Sequence, residues 1–274
     1  MLNFTIDHVV WAHPHLDKAV ETFKMLGFAP VAGGKHGSGA TENALIPFTD
    51  GSYIELLSRV DGGGASPMWE ELLAANAGWG DWCLGVPDVE AAAQQLRADG
   101  FSLRGPFAMH RDRPGGLPRA AWNLAFVRQE SAGGALPFLI QDTAPRENRV
   151  PAAPKGNRFK GIHQVIVAVL SIETWQVRFA TYFGVHASLV TRPDLATELD
   201  NTAMFVELTG TPVILVKPGA DGALRDRLTR FGAMLAGIIL SGDENRWLAT
   251  DAERGLIIGA VASANTSMEA EKTL

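Results

Sequence analysis

The stretch "IDHVVWAHPHLDKAVETFKMLGF", residues 6–28, joins a strand-like run to a helix-like run and carries a histidine in the first of them. Alternation puts His8 on one strand face together with Ile6, and Val9 on the other. Apolar residues then recur at helical spacing, and Gly27 stands where a helix-ending glycine belongs. The sequence therefore predicts a strand followed by a helix, with an imidazole inside a strand that should be buried.

The same order of elements recurs along the chain. Three strand-like runs follow the first helix, the last of them "SYIELL" at residues 52–57. Strand starts at positions 7, 81 and 163 precede the helix-ending glycines Gly27, Gly100 and Gly184 by 20, 19 and 21 residues. Such near-equal spacings indicate an internal duplication of βαβββ units.

A fourth, shortened unit closes the pattern, with a strand at 236–242, a helix at 243–254 and a strand at 255–262. One unit cannot bury its half-open sheet alone, whereas two units side by side can close a cupped sheet around a pocket. We therefore predict an α+β fold in which repeated βαβββ modules pair into cupped, barrel-like mixed sheets.

Composition sets the predicted domain boundaries. Residues 143–158 are rich in proline and charge, which is typical of a linker. The remaining boundaries are a first domain at 1–142 with modules 3–60 and 79–142, and a second, degenerate domain at 159–265 with module 159–218 and truncated module 233–262.

Charge and cysteine content exclude several classes of partner. The chain has 274 residues, a net charge of −6 and a single cysteine, Cys83. Nucleic acid is not expected as a partner, because phosphate binding needs a concentrated basic face. One cysteine permits no internal disulfide and fits a reducing cytoplasm. No apolar run approaches the roughly 20 residues of a membrane span, so we expect a cytoplasmic protein without a membrane partner.

The glycine-rich run "GGKHGSGATEN", residues 33–43, invites a phosphate-loop interpretation. It lacks a Gly-Lys-Ser/Thr ending and a following helix, and no dinucleotide fingerprint follows a strand elsewhere. We therefore expect a strand-connecting loop and no nucleotide cofactor. His36 is either functional or a solvated loop residue, and we take His36 and Asn43 as candidate ligand contacts at a pocket mouth.

Together, residues 6–28, the stretch "GGKHGSGATENALIPFTDGSYIELL" and the repeated βαβββ order resemble the vicinal oxygen chelate superfamily, in particular its glyoxalase-like branch. That superfamily includes glyoxalase I, bleomycin-resistance proteins, fosfomycin-resistance enzymes and extradiol dioxygenases. The resemblance is good for about residues 3–142 and weaker beyond them. It implies paired modules around a cupped sheet, with a divalent metal held by side chains from the first and last strands of each module.

The resemblance assigns His8 as the first-strand metal ligand and Glu55 as the last-strand ligand, and makes both the candidate catalytic residues. Imidazole and carboxylate suit Zn²⁺, Mn²⁺, Fe²⁺ or Ni²⁺. Taken alone, His8 would be a satisfied core histidine and Glu55 would lie on a solvated strand face. A carboxylate between Ile54 and Leu56 is costly to bury unless it is paired or metal-bound.

The metal pattern is incomplete in the other units. An overlay of the second unit puts Trp82 at the position of His8, and Ile140 at the position of Glu55, or Gln141 if the strand register shifts by one. In the third unit the corresponding residues are Gln164 and Ile214. Trp82 then either faces the pocket as an apolar ligand contact or belongs to the core.

The run "MHRDRPGGLPRAAWNLAF", residues 109–126, concentrates arginines beside Trp122. We expect Arg111 and Arg119 to lie in a solvated hairpin turn. Arg113 and Trp122, together with Trp82 and Gln141, are the further candidate ligand contacts.

Two functions follow from these expectations. The first is a glyoxalase-like, metal-dependent enzyme of the lyase, isomerase or dioxygenase type, acting on a small oxygenated organic molecule; without a metal, Glu55 would act as a general base if burial raises its pKa. The second is a non-catalytic small-molecule or drug-binding protein, like the bleomycin-resistance proteins. A homodimer is the expected assembly, and the second half is a candidate for pairing alone.

Overall fold

The computed structural model describes residues 4–64, 69–75, 78–111, 113, 117–127 and 134–263. The helices in these residues are α1 (Leu16–Met25), α2 (Glu70–Ala74), α3 (Val89–Ala98), α4 (Ile172–Phe183), α5 (Pro193–Leu199) and α6 (Ala223–Phe231). The strands are β1 (Thr5–Ala12), β2 (Val31–Lys35), β3 (Thr41–Pro47), β4 (Tyr53–Arg59), β5 (Gly78–Gly85), β6 (Leu103–Arg111), β7 (Ala120–Val127), β8 (Phe138–Asp142), β9 (Gly161–Ala168), β10 (Leu189–Thr191), β11 (Met204–Leu208), β12 (Val213–Lys217), β13 (Met234–Gly242), β14 (Arg246–Asp251) and β15 (Leu256–Ala262).

The strands form two curled mixed sheets, which confirms the predicted α+β fold. The first sheet has the order β2-β3-β4-β1-β5-β8-β7-β6 and makes a half-barrel. The second has the order β10-β11-β12-β9-β13-β15-β14. In the first sheet, β1 and β5 pair at the centre, so the two βαβββ units meet through their first strands.

The opening stretch folds as its periodicity predicts. Helix α1 buries Ala19 and Phe23, and Gly27 just after it has a φ of +88°, a conformation that glycine adopts without strain. In the second unit, the side chain of Asp88 accepts a hydrogen bond from the backbone N–H of Ala91 and so caps α3.

Strand register brings the two candidate metal ligands onto one face. β1 runs parallel to β4, with Val10 opposite Glu55. Because side chains alternate along a strand, His8 and Val10 share a face, and Glu55 joins them from the neighbouring strand.

The shortened fourth unit corrects one prediction. Residues 246–251, expected within a helix at 243–254, form β14, which pairs antiparallel with β15. Pairing at this sheet edge overrides the helix propensity of a run rich in Glu, Ala and Arg. The structure also contains three helices, α2, α5 and α6, that the pattern does not predict.

The two sheets share one hydrophobic cluster. Aromatic pairs cross between the halves, among them Phe4 with Phe183 at a ring-centroid distance of 4.7 Å and Phe28 with Phe159 at 5.4 Å. Among the helices described, none has the length and apolar composition that a membrane crossing needs.

Candidate active site

A cavity of about 170 Å³ lies on the face of the first sheet that carries His8 and Glu55. One end is polar and includes His8, Glu55, His36 and Asn43. Ser38, Thr41, Tyr53, Arg111 and Arg149 also line the cavity, and the rest of the wall is apolar, with Leu57, Trp69, Met109, Trp122, Leu124, Phe126, Phe138 and Ile140. The cavity thus combines a few convergent polar groups with an apolar wall, as ligand sites do.

His8 is held in one orientation by its neighbours. The ring is 3% exposed and stacks on Tyr53 at a centroid distance of 4.6 Å. Its Nδ1 lies 2.6 Å from Oδ1 of Asp7, a contact that places the ring proton on Nδ1. The other nitrogen, Nε2, faces the carboxylate of Glu55 at 3.6 Å.

The carboxylate that orients His8 is itself fixed by arginines. Arg149 donates to both oxygens of Asp7 at 3.0 and 2.9 Å, and Arg146 donates to Oδ2 at 2.7 Å. Burial would raise the pKa of the Asp7 carboxyl, but the charge of Arg149 and hydrogen bonds from His8 and Arg149 hold that pKa well below its usual value. Asp7 therefore stays ionised behind the imidazole.

Both arginines come from the segment predicted as a linker. A 3₁₀ helix at Arg146–Asn148 follows β8 and turns the chain back over the first sheet. Arg149 is 4% exposed and also donates to Asp142 and to the Tyr53 hydroxyl. This part of the segment is thus packed into the site. Proline and charge in a sequence usually indicate an exposed linker, so the sequence did not predict that these charged side chains form a buried ion-pair network.

Glu55 is buried and ionised. Asn43 Nδ2 donates to its Oε1 at 2.5 Å, and Nε2 of His36 lies 3.4 Å from the same oxygen. Burial acts to raise the pKa of Glu55, but the hydrogen bond and charge of His36, the charge of His8 and the Asn43 hydrogen bond together lower it to about 2. The condition for a general base, a pKa raised by burial, is therefore not met.

His36 and Asn43 reach the cavity from β2, β3 and the loop between them. His36 Nδ1 lies 2.8 Å from the Thr41 hydroxyl, which fixes the ring with Nε2 toward Glu55. The side chain of His36 is 18% exposed, so the ring stands between the buried carboxylate and solvent. The glycine-rich run thus places two polar side chains at the cavity, as expected, without forming a phosphate loop.

Arg111 lies in the cavity wall and not in a solvated turn. It is the last residue of β6 and is 4% exposed, which corrects the expectation for this residue. Its Nη2 donates to the carbonyl of Arg149 at 2.7 Å and its Nη1 to Oδ1 of Asn43 at 3.3 Å. Because side chains alternate along β6, Arg111 shares a strand face with Met109, which also lines the cavity. A prediction that extended this strand to residue 111 would have placed Arg111 in the cavity wall.

The other candidate contacts divide into two groups. Trp122 lines the cavity. Trp82 does not, which corrects the overlay with His8: in the sheet His8 lies opposite Cys83, and the Trp82 ring packs toward Phe179 on the other face. The Trp82 indole N–H donates to the Ala135 carbonyl.

Gln141 and Arg113 also lie outside the cavity lining. The Gln141 amide donates to the Pro87 carbonyl and accepts from the Val89 N–H, and thereby holds the start of α3. Arg113 donates to Oδ1 of Asn148 at 3.3 Å. Ile140, one of the two alternatives for the position of Glu55, does line the cavity, and Gln141 faces a separate groove.

Asp7, His8 and Cys83 form a group of ligand-type side chains whose ligand atoms lie within 4.8 Å of one another. This group fits a metal poorly. The Asp7 oxygens already accept hydrogen bonds from two arginines and contact His8. Burial raises the pKa of the Cys83 thiol well above its usual value, which keeps it protonated.

His8 and Glu55 fit a divalent metal better. With the ring proton on Nδ1, Nε2 is an acceptor that faces the acceptor Oε2 at 3.6 Å. Two ligand atoms that bind one ion at about 2.0–2.2 Å each lie roughly 3 to 3.6 Å apart. The contact from Asp7 to the other ring nitrogen is also the arrangement that orients metal-binding histidines.

The second sheet keeps the scaffold without this pair. Ile214 lies opposite Ile166 on β9, as Glu55 lies opposite Val10 on β1. By the same register, Gln164 takes the position of His8. An amide and a buried isoleucine do not supply a metal-binding pair.

Comparison with known proteins agrees with this architecture. The model of the glyoxalase-like domain family matches residues 6–183. No curated protein sequence matches the chain. Solved structures also share the fold at low identity. A hypothetical protein from Staphylococcus aureus is 17% identical, with a TM-score of 0.66 over 95% of this chain and 100% of that one.

Two others are named enzymes. A mutant of 4-hydroxymandelate synthase from Streptomyces coelicolor is 14% identical, with a TM-score of 0.58 over 89% of this chain and 72% of that one. A xylose isomerase-like TIM barrel/4-hydroxyphenylpyruvate dioxygenase fusion protein is 13% identical, with a TM-score of 0.54 over 89% of this chain and 37% of that one. At these identities the likeness shows the fold alone.

Proposed function

Because the chain belongs to the glyoxalase-like domain family of the vicinal oxygen chelate superfamily, we propose that it is an enzyme acting on a small oxygenated organic molecule in the first-sheet cavity. One observation carries the proposal: Nε2 of His8 and an ionised Glu55 face each other at 3.6 Å at the polar end of an otherwise apolar cavity. A reaction of the lyase, isomerase or dioxygenase type is the chemistry that such a site would serve.

His8 and Glu55 would hold a divalent metal, which would act as a Lewis acid on substrate oxygens. The protein groups around it have distinct tasks. Asp7 keeps the His8 lone pair on Nε2, and Asn43 fixes Oε1 of Glu55 by its hydrogen bond. Glu55 would supply the negative charge of the pair.

His36 is the group placed to move a proton. Its Nε2 lies at the cavity, 3.4 Å from Glu55 Oε1, and its ring is partly exposed to solvent. An imidazole there can take a proton from a substrate bound beside Glu55 and release it to water. Trp122 and Phe138 form part of the apolar wall that excludes water from the reacting groups.

Metal binding tests the proposal. Wild type, His8→Ala, Glu55→Gln and the control His163→Ala are incubated with Zn²⁺ or Mn²⁺, desalted, and analysed for metal by mass spectrometry. His163 is exposed on the corresponding strand of the second sheet. We expect about one ion per chain in wild type and the control, and less than about a tenth of that in the other two variants. Equal metal content in all four would overturn the metal site.

A second function rests on the apolar wall. The residues that line it, Trp122, Phe126 and Phe138 among them, would also suit a protein that binds a hydrophobic drug without reaction. Thermal-shift measurements separate the two functions. Stabilisation by divalent metals supports the enzyme, whereas stabilisation by hydrophobic drugs alone supports sequestration.

A further inference from the structure

In the described part of the chain, Arg111 has no direct ion-pair partner, and the charge of Glu55 acts on it only from beyond contact distance. Its hydrogen-bond acceptors are the Arg149 carbonyl and the Asn43 amide oxygen, both neutral groups. Among the described residues, Nε of Arg111 has no hydrogen-bond partner, and no carboxylate lies within 4 Å of its guanidinium. Arg149, by contrast, is paired with both Asp7 and Asp142.

A buried, unpaired charge is expensive in the absence of a partner, since burial removes its hydration. Arg111 is 4% exposed and lines the cavity, so a molecule bound there can reach the guanidinium. The planar fork of arginine N–H donors matches a carboxylate. A carboxylate carries the single negative charge that would balance one guanidinium, whereas a phosphate dianion carries one charge more than Arg111 can balance.

The cavity also limits the size of the rest of the ligand. Its volume is about 170 Å³, and a dry protein cavity of about 150 Å³ holds one benzene molecule. Aromatic and aliphatic side chains, including Trp122, Phe126 and Phe138, form the wall away from the polar end. A single aromatic ring, or an alkyl group of similar volume, fits this space.

We propose that Arg111 is the anchor for a substrate carboxylate and that the cavity selects small carboxylic acids with one aryl or similarly sized alkyl group. This inference rests on the proposed function only in taking the same cavity as the substrate site. The carboxylate contacts Arg111, the ring packs on the apolar wall, and the intervening carbon or oxygen atoms face His8, Glu55 and His36.

Direct binding tests the anchor on metal-free protein, prepared with a chelator that is then removed by desalting. The probes are phenylacetate, its neutral isostere phenylacetamide, and inorganic phosphate, each titrated by calorimetry. We expect phenylacetate to bind at least about tenfold more tightly than phenylacetamide, because the amide cannot form a charge-assisted pair with Arg111. Phosphate is expected to bind more weakly than phenylacetate.

Two variants test whether Arg111 causes the preference for phenylacetate over phenylacetamide. Arg111→Gln is expected to bind phenylacetate and phenylacetamide with equal affinity. The matched control Arg113→Gln, whose arginine bonds Asn148 outside the cavity, should keep the wild-type preference. Circular dichroism checks that both variants fold. If Arg111→Gln does not fold, Arg111→Lys takes its place; it keeps the charge but loses the planar fork of donors, and it should keep only part of the preference for the acid.

Equal affinity for phenylacetate and phenylacetamide in wild type would overturn the anchor, as would an unchanged preference in folded Arg111→Gln. Tighter binding of phosphate than of phenylacetate would overturn the assignment to carboxylic acids. Because the metal has been removed, these results do not depend on His8 and Glu55 as metal ligands. Loss of the metal proposal with a retained acid preference therefore leaves the anchor standing.

Discussion

Asp81 is a buried acid that lies outside the cavity lining, and it determines a pH dependence of stability. It is 7% exposed and accepts a hydrogen bond from the Trp82 backbone N–H at 2.8 Å. Burial raises its pKa well above the usual value of 3.8. The folded protein therefore holds a proton that the unfolded chain releases, and stability falls as pH rises from about 4 through the folded pKa, by up to about 1.4 kcal/mol per pH unit.

Asp81→Asn removes this loss of stability at higher pH, because the amide is neutral at every pH. We expect the variant to unfold at a higher temperature than wild type at pH 7.5, with the difference shrinking as pH is lowered toward 4. Asp221→Asn, on the surface, is the control and should match wild type throughout. Calorimetric melting at four pH values measures the effect. A wild-type advantage at pH 7.5 would show that the fold favours ionised Asp81 and would contradict the raised pKa.

At the scale of residues, the sequence identified the polar end of the cavity and missed its cations. His8 and Glu55 can be recognised because an ionisable group in an apolar strand is costly to bury without a partner. The alternation of side chains then assigns each of them to a strand face. Arg111 and Arg149 do not stand out, since a charged residue in a polar stretch that contains Pro usually lies exposed to solvent. Their burial depends mainly on Asp7, which is 142 residues from Arg149, and on Asn43, which is 68 residues from Arg111.

At the scale of elements, the strands and the capped helices were predictable, and the edge of the second sheet was not. Helix α1 carries the helical period of apolar residues that predicts an amphipathic helix. Residues 243–254 include several good helix formers, and pairing with the exposed edge of β15 makes residues 246–251 a strand. Edge strands depend most on such tertiary pairing, so local pattern predicts them least.

The segment after β8 works as a structural clamp, and its arginines give the next prediction. Arg149→Met leaves buried Asp7 and Asp142 without their main partner, so we expect a loss of about 3 kcal/mol or more in the free energy of unfolding. Arg146→Met is the matched control, because Arg146 pairs with the same two acids while its side chain is 37% exposed. We expect it to lose less than about 1 kcal/mol.

Urea denaturation of both variants at neutral pH measures these losses. Loss of His8 orientation should accompany the change in Arg149→Met, and metal content falls with it because Asp7 no longer fixes the ring. An Arg149→Met variant as stable as wild type would show that the segment only connects the sheets.

At the scale of the whole molecule, the second half supports the first through a shared core. It lacks the His–Glu pair, yet α4 lays Phe179 and Phe183 against Trp82 on the outer face of the first sheet. The Trp79 indole N–H also donates to the carbonyl of Ile257, so the contact includes polar groups. This arrangement implies that the two halves unfold together, because separating them would expose the apolar side chains of this face to water at a cost in free energy.

Phe179→Ala tests that coupling. Removing a fully buried ring should cost about 3 to 5 kcal/mol, and it should weaken the first sheet as much as the second. Val177→Ala is the control on the same helix, since Val177 is 67% exposed and its loss should change stability by less than about 0.5 kcal/mol. Hydrogen exchange followed by mass spectrometry reports the protection of β1 and β9 separately. We expect both strands to lose equal protection in Phe179→Ala, whereas a loss confined to β9 would show that the halves are energetically independent.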